Sequence, residues 1–146
     1  MKKKLLSIFL TVAMIATMLS ALSITAFAAN TRTWNDITWT EWTSTNSLPT
    51  SGNYYLSSNV KITGYHTIPA SSTLKLDLNG KTINGNSQYE TYYMPNNSSK
   101  FYLYDSFGGG QLNNNKLHAV FVANSSAYFY MYGGTITGTT GVNDAD

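Results

Sequence analysis

The chain has no cysteine among its 146 residues, and only 11% of the residues are charged. Without cysteine there can be no disulfide bonds, so stability must come from packing and backbone hydrogen bonding. A Cys–His catalytic pair is excluded for the same reason. Nucleic-acid binding needs a clustered basic face, and such a sparsely charged chain does not provide one.

The first 28 residues have the order of a secretory signal peptide. Three lysines at residues 2–4 are followed by the apolar run LLSIFLTVAMIATMLSALSI and then by Ala26-Phe27-Ala28. A basic start, an apolar segment and an A-x-A site are what the export machinery reads, so we predict cleavage after Ala28. The alternative is an uncleaved anchor, because the run approaches the ~20 residues that a membrane span needs. The A-x-A site and the lack of a basic flank after it favour cleavage.

Removal of residues 1–28 takes away three of the nine positive residues and changes the formal net charge from +2 to −1. What remains is rich in Tyr, Asn, Thr, Ser and Gly, and the chain has eleven tyrosines and three tryptophans. Disordered segments normally have few aromatic residues. The composition therefore predicts a folded, secreted or cell-surface protein without a membrane span after cleavage.

Hydrophobic residues alternate with polar ones in several short segments, such as NVKIT, TLKLDL, FYLYD and YFYMY. A period of two is typical of strands, and no stretch shows a convincing helical period of 3.6. Clusters of Gly, Asn, Ser and Pro separate the segments, as turns do between strands. The fold class predicted from this pattern is all-β.

Three blocks look like one repeated unit: LKLDLNGKTINGN, FYLYDSFGGGQLNNN and YFYMYGGTITGTT. In each, an alternating strand is followed by a glycine-containing turn and then by one aliphatic residue. The aliphatic residues Ile83, Leu112 and Ile136 are 29 and 24 residues apart. Repetition at this spacing indicates a solenoid, and we predict a right-handed parallel β-helix of about three coils. An antiparallel sandwich is the alternative, because Asn-Gly is also a hairpin signal.

The predicted organisation has three parts. Residues 1–28 are the signal peptide, residues 29–52 an N-terminal cap, and residues 53–146 the coils. A solenoid needs capped ends, and we expect three tryptophans of the cap to cover the open core of the first coil rather than to bind sugar. They are Trp34, Trp39 and Trp42.

Two segments depart from a simple array of coils. Residues 86–100 are longer than a tight corner and are expected to form a projecting loop. The final stretch GTTGVNDAD resembles the start of another coil, so we expect an array that is incomplete at the C-terminus. An open last coil would also offer an edge for self-association.

The segments SGNYYLSSNVKIT, TIPASSTLKLDLNGKTING and MYGGTITG resemble secreted and cell-surface bacterial proteins with pectin-lyase-like right-handed β-helix repeats. The resemblance implies a bacterial, non-catalytic surface protein with an adhesive, glycan-contacting or scaffold role. It also implies the alternative of an N-terminal portion of a polysaccharide lyase or glycoside hydrolase, since catalytic members of the fold cleave polysaccharides.

No catalytic residue, cofactor or metal site is predicted. Hydrolases need clustered carboxylates, and Asp77 and Asp105 are out of register in the aligned blocks, with Asp77 beside Tyr104. We expect Asp77 to point outward, solvated or paired with Lys75, and Asp105 to cap its turn. Two histidines, His66 and His118, have no second ligand at metal spacing.

Five tyrosines are expected on the outer face of one sheet, because their inward-facing neighbours are apolar. In the aligned blocks, Tyr102 lies beside Tyr128 and Tyr104 beside Tyr130. The face could contact carbohydrate, form a structural ladder of stacked rings, or be covered by residues 86–100 or by another chain. The partner predicted for the first case is a polysaccharide or a host or bacterial surface glycan. The predicted contact residues are Tyr102, Tyr104, Tyr128, Tyr130 and Tyr132.

Overall fold

The computed structural model describes residues 30–86 and 88–138, and within these ranges the chain is all-β, as predicted. The predicted signal peptide and the final stretch from residue 139 onward lie outside the described residues. No helix in the described part is long and apolar enough to cross a membrane. The described residues form thirteen strands: β1 (Thr31–Trp34), β2 (Ile37–Trp42), β3 (Gly52–Leu56), β4 (Val60–Ile62), β5 (His66–Thr67), β6 (Thr73–Asp77), β7 (Thr82–Gly85), β8 (Tyr92–Met94), β9 (Lys100–Tyr104), β10 (Gln111–Asn114), β11 (Val120–Val122), β12 (Tyr128–Met131) and β13 (Thr135–Gly138).

The described strands form three sheets, and from β3 onward successive strands belong to the first, second and third sheet in rotation. The first sheet has the order β1-β2-β3-β6-β9-β12, the second β13-β10-β7-β4 and the third β11-β8-β5. From β3 to β10, each strand pairs in parallel with the strand three places later, and among the strands of residues 30–138 only β1 and β2 are paired antiparallel. Parallel pairing throughout the repeats rules out the antiparallel sandwich.

The register confirms the repeat seen in the sequence. In the second sheet Leu112 is paired with Ile83 on one side and with Ile136 on the other. The three aliphatic residues therefore form one column, and Ile83 and Leu112 are fully buried. Unequal separations of 29 and 24 residues are accommodated in the corners between strands, not in the strands themselves.

The core lies between the sheets and is built from every second residue of each strand. In the first sheet Leu74 pairs with Phe101 and Leu76 with Leu103, and all four side chains are fully buried. Full burial of each such side chain contributes about 1.5–3 kcal/mol, so the columns supply most of the stabilisation available to a chain without disulfides. Phe101 and Leu103 are the apolar neighbours of Tyr102 and Tyr104, and their burial confirms the inward orientation predicted for such neighbours.

Glycine and asparagine occupy corners that need left-handed backbone. Asn79 and Gly80 have φ of 52° and 73°, and Gly134 has φ of 82°. Only glycine and, less readily, asparagine adopt this region at low cost, which is why Asn-Gly and Gly-Gly recur after the strands. The predicted corners at these positions are confirmed.

The prediction of a projecting loop over residues 86–100 is wrong. The segment contains β8, which joins the third sheet, and Tyr92 and Met94 are fully buried. The Tyr92 ring packs 4.6 Å from the Phe101 ring, and its hydroxyl donates to the Pro49 carbonyl at 3.1 Å. A strand of three residues is too short for alternation to stand out in sequence, so the flanking polar residues hid it.

The three tryptophans do not share one role. Trp42 packs against the core, with its ring 5.1 Å from that of Tyr54 at the first-sheet strand β3. Trp34 and Trp39 instead lie against Tyr104 on the outer face of the first sheet. The hairpin of β1 and β2 thus folds over that face, and the expectation that all three indoles cover the core holds for Trp42 alone.

Candidate functional site

The predicted tyrosine face exists on the first sheet, but its register differs from the expected one by two residues. Tyr130 is paired with Tyr102, and Tyr128 is paired with Lys100. A shift of two residues keeps every side chain on the same face, so alternation alone could not exclude it. The register that forms brings the inward rings of Phe101 and Phe129 together, 5.1 Å apart.

The outer tyrosine rings of β9 stack on those of β12 and of Tyr132, the residue that follows β12. Tyr102 and Tyr130 have ring centroids 4.9 Å apart and planes 14° from parallel. Tyr104 and Tyr132 are 5.0 Å apart at 12°. Near-parallel aromatic pairs of this kind contribute about 0.5–1.5 kcal/mol beyond the area they bury. This geometry is that of the predicted structural ladder, since each ring uses one face to contact its partner.

Along β12 the rings lie side by side. Tyr128 and Tyr130 have centroids 6.3 Å apart and planes 17° from parallel, so they share one orientation. Within the described residues, β12 is the last strand of the first sheet. The side chains of Tyr128, Tyr130 and Tyr132 are 48%, 40% and 63% exposed. One face of Tyr130 and of Tyr132 is stacked, and the opposite face points away from the paired strand.

Tyr104 does not belong to the exposed surface. Its side chain is 8% exposed because the indole of Trp39 lies 5.3 Å away and that of Trp34 5.8 Å away, both edge-on. Burial, with smaller contributions from Tyr132 and Tyr102, raises the pKa of Tyr104. The third alternative, a covered face, therefore applies at this position, but the cover is the N-terminal hairpin and not residues 86–100.

Asp77 is fully buried, so the prediction that it points into solvent or pairs with Lys75 is wrong. Its carboxylate forms an ion pair with Arg32. Its other oxygen accepts hydrogen bonds from the backbone amides of Asn79 and Ser106, each at 2.9 Å. The predicted position of Asp77 beside Tyr104 is confirmed by the register.

Arg32 connects the hairpin to the sheet through several groups at once. Its guanidinium donates to the side chains of Asn79 at 2.9 Å and Ser106 at 3.0 Å, in addition to Asp77. It also lies 4.1 Å above the Tyr55 ring, within the range of a cation–π contact. We call Arg32, Asp77, Asn79 and Ser106 the hairpin clamp.

Asp105 caps turns, as predicted. One carboxylate oxygen accepts from the Gly110 amide of its own turn at 2.7 Å. The other accepts from the Gly80 amide of the preceding repeat at 2.8 Å. Both of its oxygens are thus committed to backbone amides of stacked corners, which is a structural role.

The two histidines lie in different environments and do not form a common site. His66 in β5 accepts a hydrogen bond from the Leu48 amide through Nε2 at 3.2 Å, and burial lowers the pKa of its imidazole. His118 is exposed and stacks on Phe121 at 5.5 Å. Across the described ranges, no three His, Asp or Glu residues are grouped as metal ligands.

A second aromatic group on the third sheet was missed by sequence reasoning. Tyr93 of β8 stacks on Phe121 of β11 at 5.9 Å and 8°, and Tyr65 meets Tyr93 edge-on at 6.2 Å. Tyr65 and Phe121 are 52% and 40% exposed. Every residue of YYM and VFV is apolar, so no alternation marks these two strands in the sequence, and only the pairing of β8 with β11 brings their rings together.

Comparison with protein-family models, with curated proteins and with solved structures gives no match for this chain. The candidate function therefore depends on the geometry of the chain itself.

Proposed function

We propose that this protein is a secreted or surface-attached bacterial β-helix protein that contacts polysaccharide through the row of exposed tyrosines on β12 and directly after it, Tyr128, Tyr130 and Tyr132. Successive strands belong to the three sheets in rotation, and this order supports a β-helix. The right-handed sense and the pectin-lyase-like type of repeat are further parts of the proposal. The basic, apolar and A-x-A order of residues 2–28 supports export.

The observation that carries the glycan-contacting role is the row of three exposed, co-oriented rings. Sugar rings stack on aromatic faces, and tyrosine hydroxyls add hydrogen bonds. Tyr130 and Tyr132 each have one face against β9 and the other free of a paired strand in the described residues. The ladder beneath holds these rings in place, so binding would require little ordering of side chains.

The positions of Asp77 and Asp105 do not support the alternative of a polysaccharide lyase or glycoside hydrolase. Asp77 is buried in an ion pair, and both oxygens of Asp105 accept backbone hydrogen bonds. Neither is placed to act on a glycosidic bond, which requires a free acid and a partner carboxylate. We therefore propose a non-catalytic contact surface on a rigid scaffold.

The test is binding of the purified chain to a panel of soluble and insoluble cell-wall and plant polysaccharides. The perturbation is the pair Tyr130→Thr and Tyr132→Thr, with Tyr65→Thr, an exposed tyrosine directly before β5 of the third sheet, as the control. Two stacking contacts of about 0.5–1.5 kcal/mol each correspond to about a 5-fold to 150-fold loss of affinity.

Unchanged circular dichroism must accompany the loss, so that failure to fold is not read as failure to bind. The proposal is wrong if no polysaccharide in the panel binds the parent chain, or if the double variant binds as well as the Tyr65 control.

A further inference from the structure

We propose that Tyr102 and Tyr130 are an oxidative cross-linking site, at which a peroxide-dependent one-electron oxidant joins the two rings within one chain as dityrosine. This inference is independent of glycan binding. It rests on the position of the two rings relative to each other and to solvent.

The two side chains start from paired residues on adjacent parallel strands, so they leave the same face of the sheet side by side. The centroids are 4.9 Å apart, and the planes deviate from parallel by 14°. The two rings are therefore in contact and nearly parallel, and a tilt of one ring brings the carbons next to the two hydroxyl-bearing carbons together. Two reactive groups held in contact couple far faster than the same groups meeting by diffusion, so intrachain coupling dominates in dilute protein.

Access and mobility also favour this pair. Tyr130 is 40% exposed, so an oxidant can reach it, and its outer face has no paired strand in the described residues that would stop the ring from tilting toward Tyr102. Two other cross-strand stacked pairs are less suitable: Tyr132 is 6.3 Å from Tyr102, farther than Tyr130, and its nearer partner Tyr104 is only 8% exposed beneath two indoles. Tyr128 is exposed, but its cross-strand partner is Lys100 and not a tyrosine.

The chemistry balances with hydrogen peroxide as the terminal oxidant and a haem peroxidase as the one-electron carrier. Each phenol loses one electron and its hydroxyl proton, which gives two phenoxyl radicals. Their ring carbons next to the oxygen form a carbon–carbon bond, and the hydrogen on each of these carbons moves to the oxygen, which restores both phenols. The two electrons and two protons reduce one hydrogen peroxide to two waters, and the protein loses two hydrogen atoms.

The experiment treats the full chain at low concentration with peroxidase and hydrogen peroxide. The expected product is a monomer that has lost two hydrogens and shows dityrosine fluorescence. A protease that cleaves after lysine separates residues 101–116 from residues 117–146, so the intrachain link joins these two peptides, and fragmentation places it at Tyr102 and Tyr130. Oxidation of the exposed Met131 adds an oxygen instead, and the mass distinguishes the two events.

The decisive variant is Tyr130→Phe, which keeps the stacked ring but removes the hydroxyl. It should lose the linked peptide pair, whereas Tyr128→Phe, on the same strand and similarly exposed, should keep it. Circular dichroism that matches the parent chain establishes that both variants fold. The inference is overturned if the parent chain gives only links between chains, if fragmentation places the intrachain link at another pair, or if the link persists in Tyr130→Phe.

Discussion

Replacing Arg32 by methionine should detach the N-terminal hairpin from the first sheet. The guanidinium donates to Asp77, Asn79 and Ser106, and hydrogen bonds that involve a charged group contribute about 1.5–3 kcal/mol each. Removal of one partner from a fully buried ion pair costs about 3–5 kcal/mol. Arg32 is 33% exposed, and Asp77 keeps two backbone donors, so the cost should fall below that range. We expect the free energy of unfolding to decrease by about 2–3 kcal/mol.

Urea unfolding followed by two probes measures this loss and locates it. All three tryptophans lie within residues 34–42, so indole emission reports on the hairpin, while far-ultraviolet circular dichroism reports on the sheets. In Arg32→Met the emission transition should move to lower urea and precede the circular dichroism transition. If the chain instead unfolds in one step, the same loss should lower Tm by about 10–20 °C for a domain of this size.

The matched control is Lys61→Met, which removes an exposed lysine from β4 and should change stability by no more than about 0.5 kcal/mol. A double variant with Asp77→Asn tests the pair directly, because residues in contact should show a coupling energy of about 0.5–3 kcal/mol. The reasoning is refuted if Arg32→Met is as mild as the control, or if the effects of the two substitutions simply add.

Two further substitutions test the packing of the corners and the response to pH. Gly110→Ala would place a methyl group 2.6 Å from the Leu78 side chain and should cost about 1–3 kcal/mol in thermal or urea unfolding, whereas Gly64→Ala, with open space around it, should be neutral. Because burial lowers the pKa of His66, the unfolded chain binds more protons than the native one, so stability should be complete above the unfolded pKa of about 6.5 and fall as pH drops below it. His66→Gln should weaken this dependence of the unfolding free energy on pH, whereas His118→Gln should leave it unchanged. Equal slopes of unfolding free energy against pH in the parent chain and both variants would contradict the assignment of the effect to His66.

The alternation within each segment was enough to predict the all-β class and most of the core. Phe101 and Leu103, the apolar neighbours of the outward tyrosines of FYLYD, were placed inward from sequence, and both are fully buried. This succeeds because the two-residue period of a strand is a local property of the backbone, and it holds whichever strand becomes the neighbour. The corners were equally predictable, since a left-handed φ selects for glycine or asparagine at the position itself.

The sequence also predicted which tyrosines form the candidate site, but not how their rings are paired. Alternation placed Tyr102, Tyr130 and Tyr132 on the outer face, and the structure agrees. It could not decide which tyrosine stacks on which, because a shift of two residues preserves the pattern of a pleated strand. In the register that forms, Phe129 is paired with Phe101 and their inward rings are in contact.

Other features depended on segments that meet only when the chain folds. The partner of Asp77 is Arg32, 45 residues earlier in the chain, and Tyr104 is covered by indoles from the same distant hairpin. No local pattern encodes such encounters, because a side chain's exposure depends on what packs over it as well as on the face it occupies. The sequence by itself therefore determined the alternating strands of the repeated blocks, their corners and the side of each residue in those strands, but not the short strand β8. The tertiary structure alone decided which outward residues stay exposed, since that depends on where the hairpin of β1 and β2 comes to lie.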